Sequence, residues 1–291
     1  MKSRSADTGN RAFWGLVAAS VAAQTLVAYG TCCLAAAIAA AVRDQGINAL
    51  WTTRADLLPG ALVLVAAGTG GVLGTWSLGR SLWHTRMLAA TVRRHRTSTP
   101  LRLRRLADRL GIGSRVRTVD MAHPFALTYG LRRPRVLVST GLLAALSDPE
   151  LAAVLAHERA HVRSRDPLKI VLARALPAWH FYLPVLRDLR RRFALGRELA
   201  ADRAAIARHG TAALAGSLLK VAEGPAWAKA APAMATDDLL DSRITQLETG
   251  NEPPAAPAGR LTKAWAAMSA FALGTAAIWS LTVAGHAMHC D

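Results

Sequence analysis

The sequence predicts a mainly α-helical membrane protein in which apolar helices flank an α+β domain with a short β-sheet. Three observations carry that reading. Long uncharged runs fall at about residues 13–42, 57–78 and 264–285; arginines crowd the segment after the second run; and between residues 80 and 249 capped helix signals surround two short β-type runs. Hydrophobic residues are 52% of the 291 and charged residues 19%. That excludes a disordered chain, which needs low hydrophobicity and high charge. Three cysteines, with Cys32 and Cys33 adjacent, cannot form a disulfide framework, so a stapled secreted fold is excluded as well.

Phe13 to Val42 carries no charge and exceeds the ~20 residues that cross a bilayer core. Lys2, Arg4 and Arg11 precede it as they would a signal peptide. A signal's apolar region is only about 7–15 residues, so an uncleaved helix is expected. The run at 57–78 ends before Arg80 and holds Gly70 and Gly74, a spacing that lets helices approach closely in lipid. In a chain this rich in Ala and Gly, composition accounts for the pair, and we read it so. The third run, 264–285, has Trp265 and Trp279 toward its ends, as interfacial aromatics often are, and follows a Pro- and Ala-rich linker at 250–263.

Charge orients these runs. The loop between the first two is balanced, whereas Arg80, Arg86, Arg93, Arg94 and Arg96 follow the second. Positive charge stays inside, so residues 1–79 form two spans with a cytoplasmic N-terminus, residues 80–249 a cytoplasmic domain, and the last helix leads outside. The formal charge of +17 then reflects attraction to anionic headgroups. With no zinc-finger or RNA-binding signature, no direct nucleic-acid partner is expected.

Within the cytoplasmic segment, Pro100 to Leu110 reads as a helix that Gly111 ends. Arg115 to Asp120 and Arg135 to Ser139 read as strands. Ser147 and Glu150 match a capping box with Pro149 in the first turn. The helix they open carries His157, Glu158 and His161, the HExxH pattern. Residues four apart share a helix face, so both imidazoles can reach one Zn2+. Glu158, beside the first ligand, can act as general base on a water whose pKa the metal lowers toward roughly 7.

The third ligand sets the class. Ser164 and Pro167 stand where a metzincin needs Gly and His. Glu198, with Asp202 one helical turn later, fits a gluzincin: Glu198 as ligand and Asp202 orienting a ligand histidine. The competing readings are an exposed face paired with Arg197 and Arg203, and His180 as ligand instead. A lone His in the apolar stretch 175–186 is more often a hydrogen-bonded interior residue. His209 is read as a surface residue, and His84, His95 and His123 have no evident partners. The stretch 168–186, interrupted by Lys169 and Arg174, is expected to pack on the domain or dip into the membrane. A single crossing there would put Glu198 and His157 on opposite sides of the membrane.

The stretch 157–167, the segment from Trp179 to Pro184, and Glu198 with Asp202 resemble the BlaR/MecR-type integral-membrane metallopeptidases. So do Pro124-Phe125, Tyr129-Gly130, Arg133-Pro134 and Asp241-Ser242-Arg243-Ile244. More distantly the chain is similar to the CAAX-processing and heat-shock membrane proteases. The resemblance implies a zincin-like (gluzincin) domain with His157, His161 and Glu198 on zinc and Glu158 as base. It also implies that Val136, Leu137 and Val138 form an edge strand pairing with substrate, although an ordinary internal strand fits those residues as well. Only six residues follow Gly285, so no penicillin-binding sensor is expected and β-lactam sensing is not carried over. The expected function is a membrane zinc endopeptidase acting in regulation, with a helix-turn-helix repressor the partner that the resemblance implies. A quality-control protease and a catalytically silent receptor or scaffold stand as alternatives. Substrate, signal and oligomeric state are not readable from the sequence.

Overall fold

The computed structural model describes residues 8–46, 54–221, 237–253, 259–260 and 262–269, with 271, 274, 275, 278 and 282. The element order is α1 (Thr8–Gln45), α2 (Arg54–Arg94), β1 (Arg96–Thr97), α3 (Leu101–Arg109), a 3₁₀ turn (Gly113–Arg115), β2 (Val116–Val119), β3 (Ala126–Tyr129), β4 (Arg135–Ser139), α4 (Thr140–Ala145), α5 (Asp148–Ser164), α6 (Asp166–Trp179), α7 (Pro184–His209), α8 (Thr211–Val221) and α9 (Asp237–Thr249). The chain is mostly helical with one small mixed sheet. It divides into two compact units. One comprises Met1–Phe13, Leu78–Arg174 and Arg191–Ala256, and the other Trp14–Ser77, Ala175–Arg190 and Pro257–Asp291.

Among the described residues, two helical segments, Thr8–Ala40 and Ala61–Arg94, are long and apolar enough to cross a membrane. Both helices outrun the uncharged stretches read from the sequence. At 1.5 Å per residue, α2 with its 41 residues is ~60 Å long. No proline interrupts residues 79–94, and the helix continues through the arginines that follow the uncharged run. The third run, 264–285, is helical wherever it is described, and the rest of it lies outside the described residues. So do residues 254–258 and 261 of the linker, and Cys290.

In the second unit, Gly70 and Gly74 are a packing feature after all. A Cβ on Gly70 would stand 2.0 Å from the Trp179 carbonyl oxygen, and one on Gly74 2.3 Å from the Trp179 ring. Composition does not explain two buried glycines on one helix face pressed against the same residue. The stretch 168–186 does not form one helix. The chain leaves α6 at Trp179 and starts α7 at Pro184. At 14 residues, α6 is ~21 Å long, short of the ~30 Å hydrocarbon thickness.

In the first unit the sheet runs β1-β2-β4-β3. β2 and β4 are parallel, pairing Val116 with Val136 and Thr118 with Val138, while β3 pairs antiparallel with β4, Thr128 opposite Val136. Val136 and Val138 face a core built with Leu103, Leu142, Leu151 and Leu155. Leu137 faces the other side, against Val92, Phe125 and Tyr129. Burial on both faces explains why β4 is a continuous apolar run rather than an alternating one.

This arrangement corrects one expectation. Val136, Leu137 and Val138 are not on an edge: β4 has a hydrogen-bonded strand on either side. Their backbone groups lie between two paired strands, and the three side chains are at most 1% exposed. The edge near the catalytic-type helix is β3.

A histidine–carboxylate site on two helices

The start of α5 is fixed locally. Glu150 accepts from the Ser147 backbone N–H at 2.8 Å, completing the capping box, and Lys220 adds an ion pair at 2.8 Å. These contacts hold the Glu150 carboxyl down at about 2, the Lys220 bond contributing most and the Ser147 bonds next. Leu151, Leu155 and Val162 anchor the buried side of α5 in the core. His157, Glu158 and His161 are all buried, at 8%, 7% and 6% exposure.

α5 ends at Arg165, whose φ of 53° is left-handed. For a non-glycine residue that conformation costs ~1–2 kcal/mol. It turns the chain so that Asp166 opens α6 with its Oδ2 2.6 Å from His161 Nδ1. On α7, Glu198 and Asp202 share a face. Asp202 Oδ1 is 2.8 Å from His157 Nδ1, and Asp202 accepts from Arg243 Nε and Nη2 at 2.7 and 2.8 Å. Arg197 Nη2 lies 2.8 Å from Glu198 Oε1. α7 is seated against the start of α1: Gly9 and Gly196 meet so closely that a Cβ on Gly9 would come within 2.6 Å of Arg197 N. Phe13 packs on Phe193 at 5.3 Å between centroids.

Each imidazole therefore has Nδ1 within 2.8 Å of a carboxylate oxygen, which turns its Nε2 toward the other ring. The two Nε2 atoms face each other at 3.0 Å. Glu198 completes the group, Oε2 at 3.5 Å from His157 Nε2 and Oε1 at 3.7 Å from His161 Nε2. Ligands at 2.0–2.1 Å from a tetrahedral zinc stand ~3.3 Å apart, and the observed separations bracket that value. The donor set fits a divalent cation.

The electrostatics agree. Burial works against the charge on His157, but the bonds to Asp202 and Glu198 outweigh it and lift the imidazole to about 10. Burial also opposes ionisation of Glu198, yet Arg197, His161 and His157 hold its carboxyl well below the usual range. Asp202 is lowered too: burial opposes this, and His157 and Arg243 prevail. Two carboxylates stay ionised around the facing imidazoles, so the site attracts positive charge, a proton on His157 or a metal ion in its place.

Glu158 stands outside the three-residue group. Its Oε2 accepts from Thr128 Oγ1 at 2.6 Å, so an edge-strand residue aims the carboxylate. A cavity of about 240 Å³ opens here, lined among others by Leu127, Thr128, Glu158, His161 and Glu198. His180 has its own partner, Tyr182 Oη at 3.1 Å from Nδ1, and is not among the clustered ligands. His84, His95, His123 and His209 do not line the cavity.

Sequence reasoning missed Thr128, Asp166 and the Arg243 contact. Asp166 had a signal of sorts, lying five residues after His161, but its role depends on the left-handed turn at Arg165. The other two reach the site only through tertiary packing.

A family model described as BlaR1 peptidase M56 matches residues 72–247. A protease HtpX homologue of Acidiphilium cryptum is 42% identical over 76 residues, 25% of this chain and 26% of the relative. One from Bordetella pertussis is 44% identical over 69 residues, 23% of this chain and 24% of the relative. A protease HtpX homologue 2 of Methanosarcina mazei is 41% identical over 68 residues, 23% of each. The chain thus spans about a quarter of the length of the curated relatives it matches.

Proposed function

The chain belongs to the BlaR1 peptidase M56 family, and from that premise we propose that it is a membrane-embedded zinc endopeptidase with a gluzincin-type, zincin-like domain. One observation carries the reading: ligating atoms of His157, His161 and Glu198 lie within 4.8 Å of one another, with the Glu158 carboxylate beside them. When bound, the ion would supply Lewis acidity, lowering a water's pKa toward roughly 7 and polarising the scissile carbonyl.

The chain's own residues do the rest. Asp202 and Asp166 fix the tautomers and ring orientations of His157 and His161. Arg197 holds Glu198 ionised. Glu158, aimed by Thr128, takes the proton of the attacking water and returns it to the leaving amine. The free edge of β3, rather than β4, offers backbone groups for an extended substrate to pair with.

Residues 80–249 form the cytoplasmic peptidase domain, with the N-terminus inside and the C-terminus outside. The arginines after residue 78 support this topology. The substrate is a cytoplasmic or membrane-proximal protein. Inactivation of a helix-turn-helix repressor is the regulatory reading, and membrane-protein quality control is the second. Glu158 held in place by Thr128 argues against a silent scaffold, which has no physical need of that base.

The test is a pair of substitutions in the full chain. Glu158→Gln should abolish peptide hydrolysis while zinc stays bound. Glu198→Ala should lose most of the zinc, whereas His180→Ala retains it. Full activity in Glu158→Gln, or zinc lost from His180→Ala and retained in Glu198→Ala, overturns the assignment.

A further inference from the structure

In the first unit, away from the histidine–carboxylate group, lies a bowl of about 520 Å³ whose charged lining is entirely arginine. Six guanidinium-bearing residues reach it from separate parts of the fold. Arg115 ends the 3₁₀ turn, Arg132 and Arg133 sit in the β3–β4 turn, Arg135 begins β4, and Arg163 and Arg165 end α5. All six are exposed. No Asp or Glu lines the bowl. Among the described residues, none of the six makes an ion pair, whereas Arg102, Arg197, Arg203 and Arg243 all do.

That pattern is unlike an ordinary solvated surface, where charges of both signs interleave. The negative end of α5 offsets part of the charge of Arg163 and Arg165. Nothing comparable serves the other four. Arg117, just behind them, is held below its ordinary value by burial and then by the charges of Arg135 and Arg96. Arginine stays charged at any physiological pH, and its planar fork matches phosphate oxygens two at a time. Four elements line the bowl, with Pro134 and Val162 beside the arginines. A compact polyanion can be met by arginines from all four elements at once. One phosphate would leave most of the volume empty.

We propose that this bowl binds a ligand bearing two or more clustered phosphate groups. The same chemistry is presented by a diphosphate lipid headgroup such as cardiolipin and by a soluble polyphosphate. Binding is independent of zinc and of the Glu158 carboxylate, because none of the six arginines belongs to the ligand set or lines the cavity that holds that carboxylate.

The experiment uses the full chain, purified in detergent or in lipid nanodiscs, and measures melting temperature and affinity. The probes are pyrophosphate, orthophosphate, hexaglutamate, and nanodiscs of phosphatidylcholine with or without cardiolipin. Pyrophosphate should raise the melting temperature and bind more tightly than orthophosphate or hexaglutamate. Arg115→Gln/Arg133→Gln/Arg163→Gln should lose about tenfold or more in affinity, as expected for lost charge-assisted contacts. The same three sites changed to Lys keep the charge and control for folding. They should bind more weakly than wild type but better than the Gln variant. Stabilisation by cardiolipin that the Gln variant loses identifies the lipid source, and response to pyrophosphate alone identifies a soluble one. The proposal is overturned if neither pyrophosphate nor cardiolipin stabilises wild type more than the Gln variant. It is also overturned if hexaglutamate binds as tightly as pyrophosphate.

Discussion

Asp202→Ala separates metal binding from stability in a way that tests the whole site. Asp202 is fully buried. It holds His157 Nδ1 at 2.8 Å and both donor atoms of Arg243 at 2.7 and 2.8 Å. Removing one partner of a buried pair costs about 3–5 kcal/mol, because the other charge is left uncompensated. Arg243 is still 14% exposed, so the lower end, about 3 kcal/mol, is expected. Losing the acceptor that orients a ligand imidazole costs about 10–100-fold in metal affinity. In Asp202→Ala/Arg243→Ala the orphaned charge is gone, and about 1–3 kcal/mol should return. Zinc affinity should not return, since His157 still lacks its acceptor. Chelator competition and denaturant titration of both variants read the two quantities separately. Wild-type zinc affinity in the single variant, or equal stability losses in single and double variants, would refute the reasoning.

Further outcomes follow from other parts of the molecule. With zinc stripped, His157 moves from an ordinary 6.5 up to about 10, so its charged form contributes stability that is full below about pH 6.5 and is lost as pH rises through about 10. Zinc uptake at pH 8 should therefore release about one proton, read by calorimetry in buffers of different ionisation enthalpy; buffer-independent heat sinks the idea. Gly70→Ala should lower the melting temperature, at a cost of about 1–3 kcal/mol for overpacking, whereas Gly71→Ala, with nothing within 4 Å of its added Cβ, should not; equal effects would show that the Trp179 contact is unimportant. A membrane-impermeant thiol reagent on intact cells should label Cys290 and not Cys290→Ser, and labelling only after lysis would reverse the proposed exit of the last helix.

The parts of the site that were legible in the sequence are those encoded within one helix. His157 and His161 four apart, the Ser147–Glu150 box, and Glu198 with Asp202 are all periodic signals, and each pair lies on one face in the structure. β4 was legible to the residue, Arg135 to Ser139, because its apolar run is bounded by Pro134 and by the helix-capping Ser139. What was not legible is order in space. β2 and β4 pair in parallel although β3 lies between them in the chain, and no local pattern reports that. Gly70 and Gly74 failed for a related reason: GxxxG in an Ala-rich run gains meaning only from what presses on it, and Trp179 is more than a hundred residues away.

The displacement of the edge from β4 to β3 has a chemical consequence. Thr128 belongs to the strand with a free edge and also donates to Glu158 at 2.6 Å. A substrate pairing along β3 would therefore lie against the residue that aims Glu158, the proposed base. Substrate alignment and base alignment are then set by the same four-residue strand, anchored by Leu137 and Val138 opposite Leu127 and Ala126. Had β4 been the edge, the binding strand would have had no contact with Glu158 that the structure records, and the two functions could vary independently. With β3 in that place, Thr128→Val keeps the shape and the strand but removes the donor. It should lower kcat and leave KM nearly unchanged, losing about tenfold for one charge-assisted hydrogen bond. An equal rise in KM with kcat intact would mean that Thr128 serves the strand alone, and Glu158 would need another explanation for its orientation.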